Sequence, residues 1–395
     1  MISEKMKAFV ANSSAIRAMF EEGKLMAKKY GSENVYDFSI GNPNVEPPRI
    51  VEEAIIDVLK TNRPIDIHGY TNNAGDEGVR QKLAEHINKL HNTEYDYKNF
   101  VLSAGAAAAM NVIFKTLLNP GDEVIVFAPY FGEYLRYAGN YDGKVVEVRP
   151  DPDNFLPDLE DFRAKITSRT KAVILNTPNN PTGAVYPEDT IIKIAEILTQ
   201  KQNEFNTSIY ILSDEPYRDI VYGGVKLPFV PRYYKNTFVT FSYSKSLSLP
   251  GERIGYALIN KGMDGFDDIA AGLNVATRIL GFVNAPSIMQ RVLPYCLGAT
   301  VDISIYEKNM EIFYDMLKEL GFECTRPGGA FYLFPKALIE DDKEFCGAAK
   351  EFRLLIVPGA SFGYPGHFRA AYCVSRDTIV NSYDSFKKLA EKYRR

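Results

Sequence analysis

Residues 237–255 read TFVTFSYSKSLSLPGERIG. The first six are β-branched or aromatic apart from the terminal Ser242, a composition that suits a buried strand. A polar turn follows, placing Ser242, Ser244 and Lys245 at the strand's end, and Arg253 arrives after Pro250 and Gly251. Hydroxyls beside a guanidinium are the donors that bind a phosphate dianion. A lysine among cations has a second use, because a depressed pKa lets its amine form a Schiff base with an aldehyde. Taken alone, the segment also reads as a solvated basic turn.

Six more apolar runs lie on either side: FVLS (100–103), EVIVFA (123–128), KVVEV (144–148), KAVILN (171–176), SIYILSD (208–214) and GYALIN (255–260). Between them come helix-period stretches at 106–118, 131–138, 159–166 and 187–202. The last opens with Pro187 followed by two acids, which favours a helix start. Such alternation predicts an α/β fold, with a large domain (46–285) whose mostly parallel seven-stranded sheet is sandwiched by helices. After about residue 285 the texture changes to a long helix (301–321), two Gly/Pro turns (RPGGAFYLFP, VPGASFGYPG) and a closing helix. Together with the N-terminal helix, this region predicts a smaller α+β domain from both chain ends (1–45 and 286–395).

Composition narrows the function classes. The chain has 395 residues, 46 Lys plus Arg against 50 Asp plus Glu, 46% hydrophobic residues and no Trp. A net charge of −4 without a basic run gives no electrostatic footprint for nucleic acid or an anionic membrane. Cys296, Cys324, Cys346 and Cys373 form no CxxC, and the four His residues have no metal-like spacing, so neither a disulfide framework nor a metal site is expected. The N-terminus lacks the apolar segment of a secretory signal, and no stretch approaches a bilayer span. The expected location is the cytoplasm, with reduced thiols.

In a parallel sheet, ligands sit beyond the carboxyl ends of the strands. At one such end SAGAAAAM (103–110) opens a helix at Gly105, offering free N–H groups to an anion or merely a tight turn. SIYILSD delivers Asp214, followed by Glu215, Pro216 and Tyr217, and a carboxylate there is solvated, caps a helix or faces a ligand. NTPNNPTG (176–183), with Asn180 and Pro181, has the composition of a polar turn.

Taken together, these strand ends form a known set. Over essentially its full length the chain resembles the class I/II aminotransferases, fold type I pyridoxal-phosphate enzymes of the aspartate aminotransferase kind. The signature S-x-S-K followed by S-L-x-G-x-R-I-G is matched by Ser242, Ser244, Lys245, Ser248, Leu249, Gly251, Arg253, Ile254 and Gly255. Gly41 and Pro43, Tyr70 and Gly75, NNPTG, D-E-x-Y and the late arginine of FRAAY follow in the family's order.

The resemblance implies pyridoxal 5'-phosphate as cofactor, held on Lys245 as a Schiff base, with Lys245 then serving as general acid and base. It implies Asp214 at the pyridine nitrogen, and Tyr217 and Asn180 at the phenolic oxygen. Ser242, Ser244, Arg253 and the backbone of Gly105, Ala106 and Ala107 would bind the phosphate, and Phe131 would stack on the ring. Arg369, with Gly41 and Asn180, would receive the substrate, the arginine clamping its α-carboxylate. Tyr70 would reach the neighbouring site of a homodimer.

Departures from the pattern exist. Ala107 stands where the family commonly has a Ser, Thr or Lys on the phosphate, and Ala108 where Gln or Glu is frequent. Phe131 replaces the commoner Tyr or Trp, and Gly132 a Pro. The implied activity is ping-pong transfer of an amino group from an L-amino acid to a 2-oxo acid. A C–S lyase, decarboxylase or synthase of the same fold would use the same cofactor residues. A non-catalytic sensor module would be expected to carry an appended domain, for which the resemblance leaves no room. The substrate expectation is an aspartate-like or broad donor with 2-oxoglutarate as acceptor. Arg17, Arg278 and Arg291 are the candidates for binding a distal carboxylate.

Overall fold

The seven apolar runs become the seven strands of one sheet. In chain order, β1 (Tyr36–Asp37) lies outside it, and β2 (Phe100–Ser103), β3 (Glu123–Phe127), β4 (Lys144–Val148), β5 (Thr170–Asn176), β6 (Tyr210–Asp214), β7 (Thr237–Ser242) and β8 (Gly255–Ile259) compose it. Their spatial order is β2-β8-β7-β6-β5-β3-β4. Only β8 runs against its neighbours β2 and β7, and the remaining pairs are parallel. The computed structural model from which these elements are taken describes residues 2–11 and 15–394.

Helices cover both faces, and strand alternation explains the two cores. Val124, Val126, Ile174 and Leu212 pack with Ile113 and Phe114 of helix Ala106–Leu117 and Leu273 of helix Phe266–Ile279. Their sequence neighbours Ile125, Phe127, Val173, Leu175 and Ile211 point the other way, against Ile191, Ile194 and Leu198 of helix Glu188–Phe205. Each such side chain contributes about 1.5–3 kcal/mol on burial. A strand slipped by one residue would reverse both faces, so the register is strongly specified.

A second set of short strands and its core draw on both ends of the chain. β9 (Tyr332–Leu333), β10 (Leu354–Leu355), β11 (Val357–Pro358) and β12 (Phe368–Ala371) follow. β12 pairs antiparallel with β11 and β9, and β1 pairs parallel with β10. Phe38, next to β1, packs its ring 4.7 Å from Phe313 of helix Ile303–Glu319 and 5.9 Å from Phe386 of helix Tyr383–Tyr393.

Two helices outside the sheet pack against the part of the chain that carries it. Helix Ser287–Cys296 buries Met289, Val292 and Leu293 with Val51, Val58 and Leu83 of the large body. Helix Glu4–Ala11 also touches the large body, with Lys5 Nζ 2.9 Å from Asp142 and 3.1 Å from the Asn140 carbonyl.

Candidate active site

The carboxyl ends of β5, β6 and β7 meet the N-terminus of helix Ala106–Leu117, and one pocket opens there. Its lining includes Gly41, Ala106, Ala107, Phe131, Asn180, Asp214, Tyr217, Ser242, Ser244, Lys245, Arg253 and Arg369. Residues separated by more than 300 positions thus face one space.

Asp214 ends β6, in register with Asn176 on one side and Thr240 on the other. The Tyr134 hydroxyl donates to its Oδ2 at 2.6 Å and the Thr240 hydroxyl to its Oδ1 at 2.8 Å. Burial raises its pKa to about 6, against the pull of those two hydroxyls. Among the described residues no cation pairs with this carboxylate. A buried acid without a counter-charge, facing a pocket, suits a cationic ring nitrogen.

Lys245 lies in the single helical turn Tyr243–Ser246 that follows β7. Its Nζ donates to the Gly41 carbonyl at 2.7 Å and lies 5.5 Å from the Phe331 ring. Burial lowers its pKa to about 8; Cys373 opposes the shift, and Arg369 and Arg253 add to it. Near neutrality about a tenth of the amine is therefore uncharged, a useful fraction for a nucleophile or base.

The phosphate-type donors also converge. Ser242 and Ser244 hydroxyls are 2.7 Å apart, and Arg253 Nη1 donates to Ser244 Oγ at 3.4 Å. Arg253 Nη2 bonds the Ala104 carbonyl at 3.0 Å. Gly105 has φ +87° and caps the helix without a side-chain bond. A Cβ there would fall 2.5 Å from Arg253 Nη2, so glycine lets the guanidinium lie against the backbone. Ser248 and Arg253 both take left-handed φ values, 53° and 52°. Strain of this kind, about 1–2 kcal/mol per residue, persists where surrounding packing dictates it.

Arg369 of β12 is 2% exposed. It donates to Asn180 Oδ1 at 3.0 Å and to the Ser39 carbonyl at 2.5 Å. Its Nε is buried without a partner. The guanidinium lies 4.6 Å from the Tyr332 ring and 4.9 Å from Phe362. A planar cation held on its face, with an N–H unspent, matches a carboxylate fork.

Phe131 is half-buried in the lining, with Tyr134 set edge-on at 5.6 Å and 88°. Tyr70 behaves differently. It is 90% exposed and lies outside the pocket of its own chain. Arg278 and Arg291 also lie outside the lining: Arg278 is exposed and Arg291 Nη2 bonds the Asp66 carbonyl at 2.5 Å. The side chain of Arg17 lies outside the described residues.

Thr240, Tyr134 and Tyr332 are among the residues of the site that escaped the sequence reading. Thr240 precedes Ser242 by two, so strand alternation puts both on one face. Tyr134 follows Phe131 by three, one helical turn on. Tyr332 carried no local signal.

The residues present fit pyridoxal phosphate on three counts. They are the unpaired acid, the serine–arginine–helix cradle and the aromatic face of Phe131.

Comparison with known proteins points the same way. The profile of the family described as aminotransferase class I and II matches residues 33–385. The chain is 31% identical to the probable aspartate/prephenate aminotransferase of Aquifex aeolicus, over 91% of this chain and 92% of that one. It is 30% identical to the aspartate aminotransferase of Pyrococcus horikoshii, over 98% and 99%. A crystal structure of an aminotransferase from Eubacterium rectale superposes with TM-score 0.96 at 43% identity over all of both chains. Thermus thermophilus aspartate aminotransferase with maleate superposes with TM-score 0.87 at 26% identity, over 98% and 99%.

Proposed function

This chain belongs to the class I and II aminotransferases, and from that premise we propose that its pocket holds pyridoxal 5'-phosphate and runs a ping-pong transfer from an L-amino acid to a 2-oxo acid. The observation that carries the reading is a single cleft containing a lysine of lowered pKa, an unpaired buried acid and an arginine with an unspent Nε.

When bound, pyridoxal phosphate supplies the electron sink that makes an amino acid's α-proton removable. The protein's residues do the rest. Ser242, Ser244, Arg253 and the first N–H groups of helix Ala106–Leu117 grip the phosphate. With Ala107 contributing no side-chain donor, the two serines and Arg253 carry more of that contact. Phe131 covers one ring face. Asp214 keeps a proton on the pyridine nitrogen, and Tyr217 and Asn180 donate to the phenolic oxygen. Arg369 fixes the substrate carboxylate beside Gly41, which aims the α-C–H bond at Lys245 Nζ. Lys245 takes that proton and returns it.

Initial rates measured across a grid of donor and acceptor concentrations are expected to give parallel double-reciprocal lines. Intersecting lines would contradict the two-stage transfer. The Arg369→Lys variant is expected to lower kcat/KM by roughly 30- to 150-fold, the loss of about 2–3 kcal/mol from a bidentate charged contact. Unchanged kcat/KM for every amino acid tested would remove Arg369 from the clamp.

For the donor we favour an aspartate-like amino acid, with 2-oxoglutarate as acceptor, a reading supported by the names of the relatives. We also propose a homodimer in which Tyr70 completes the neighbour's phosphate site. Tyr70, Ile279 and Phe282 are exposed at 90%, 56% and 37%. The loop after Tyr70 is tied to the one after Phe282 by Asn73 Nδ2 donating to the Val283 carbonyl at 2.5 Å, and to helix Ser287–Cys296 by Gln290 Nε2 donating to Thr71 Oγ1 at 3.0 Å. Exposed apolar side chains grouped in this way suit burial against a second copy. No helix of the described residues is long and apolar enough to cross a membrane. The four cysteines are unpaired, which suits a reducing compartment, and the cytoplasm is the location we propose.

A further inference from the structure

Tyr332 belongs to the small body, on β9, yet it touches three working parts of the pocket. Its hydroxyl is 2.8 Å from that of Tyr217, a large-body residue. Its ring lies 4.6 Å from the Arg369 guanidinium. The same hydroxyl occupies the space beside Gly41, where an added Cβ would stand 2.0 Å from it. Gly41 in turn accepts from Lys245. Only glycine at position 41 leaves room for this phenol.

We propose that Tyr332 is a positioning residue with two separable roles: its hydroxyl directs the proton of Tyr217 into the pocket, and its ring fixes the plane of Arg369. This rests on the cofactor reading given above. The first role follows from counting donors. Each phenol has one proton, and a pair at 2.8 Å uses one of the two in the shared bond. For Tyr217 to donate to a phenolic oxygen in the pocket, it must accept from Tyr332. Burial holds the Tyr332 hydroxyl up at about 12, so it stays a neutral donor across the working pH range. The second role follows from the ring's contact with a guanidinium that is itself buried and lacks a partner at Nε.

Two variants separate the roles. Tyr332→Phe keeps the ring and removes the proton. It is expected to lower kcat by roughly tenfold with KM for the amino donor nearly unchanged. The pH at which bound pyridoxal phosphate changes its absorbance should rise by roughly half a unit, because Tyr217, no longer accepting a bond that polarises and orients its hydroxyl, is a weaker donor to the phenolic oxygen. Tyr332→Leu removes the ring as well and should add a further rise in donor KM of roughly tenfold. An unchanged absorbance titration in Tyr332→Phe overturns the first role. A Tyr332→Leu enzyme whose KM equals that of Tyr332→Phe overturns the second. Should Tyr332→Leu not fold, Tyr332→Met gives the same comparison. Failure of the wild-type protein to bind pyridoxal phosphate would instead defeat the cofactor reading itself.

Discussion

Replacing Lys245 with alanine is expected to reduce turnover by on the order of 10⁴-fold while leaving pyridoxal phosphate bound non-covalently. Lys245 is the amine that approaches the Gly41 carbonyl at 2.7 Å, and its lowered pKa makes it available as a base near neutrality. The residues proposed to hold the phosphate do not depend on it: Ser242, Ser244 and Arg253 bond one another. The variant should therefore retain the cofactor through dialysis more weakly than wild type, but measurably. Borohydride treatment should fix cofactor to the wild-type chain at a peptide containing Lys245 and fix none to the variant. Cofactor fixed to the variant would show that another lysine holds it.

The Asp214→Asn variant is expected to lose activity by at least about 10³-fold, and to gain stability in the cofactor-free protein as pH rises. The activity loss follows from removing the anion that keeps the pyridine nitrogen protonated. The stability effect follows from burial. In the cofactor-free protein the acid's pKa is raised from 3.8 to about 6. A carboxyl group whose folded pKa is raised contributes stability that is fully present below about 4 and lost as pH climbs through 6. Asparagine does not ionise, so the variant escapes that loss. The difference in unfolding free energy between variant and wild type should move by up to about 3 kcal/mol in the variant's favour between pH 4 and 8. A pH-independent cost to the variant shifts that difference without changing how far it moves, because an amide accepts fully from only one of the Tyr134 and Thr240 hydroxyls. A difference in Tm that does not change with pH would contradict the burial of a lone charge.

These two residues also show what was readable before any coordinates. Lys245 and Asp214 follow runs of β-branched and aromatic residues, and strand ends are where a parallel sheet gathers its chemistry. All seven sheet strands were legible for the same reason: each is a short apolar run bounded by turn formers. The helix Ser287–Cys296 was not assignable to its body, because an amphipathic period says that a face is buried but not against what. Thr240 and Tyr134 needed knowledge of where the Asp214 carboxylate points. Tyr332 needed the antiparallel pairing of β9 with β12, a contact between segments some forty residues apart. The arginines at 278 and 291 look alike in sequence, and only packing separates an exposed side chain from one bonded to the Asp66 carbonyl.

Selectivity follows the same division. In the function proposed here, the pocket's described cations, Lys245, Arg253 and Arg369, are each committed to one role: nucleophile, phosphate ligand and carboxylate clamp. The remainder of its wall is largely aromatic and small, including Met110, Tyr134, Tyr137, Ala106 and Ala107. Donor preference is therefore a separate question from reaction class, and a single experiment addresses both.

That experiment is a single-turnover screen, in which enzyme loaded with pyridoxal phosphate is mixed with each amino acid in turn and no acceptor is added. The account predicts that at least one amino acid yields its 2-oxo acid, one equivalent per site, with the cofactor left in its amine form. Adding a 2-oxo acid should then restore the original absorbance. Loaded enzyme that releases no 2-oxo acid and forms no amine cofactor with any amino acid would contradict the central claim.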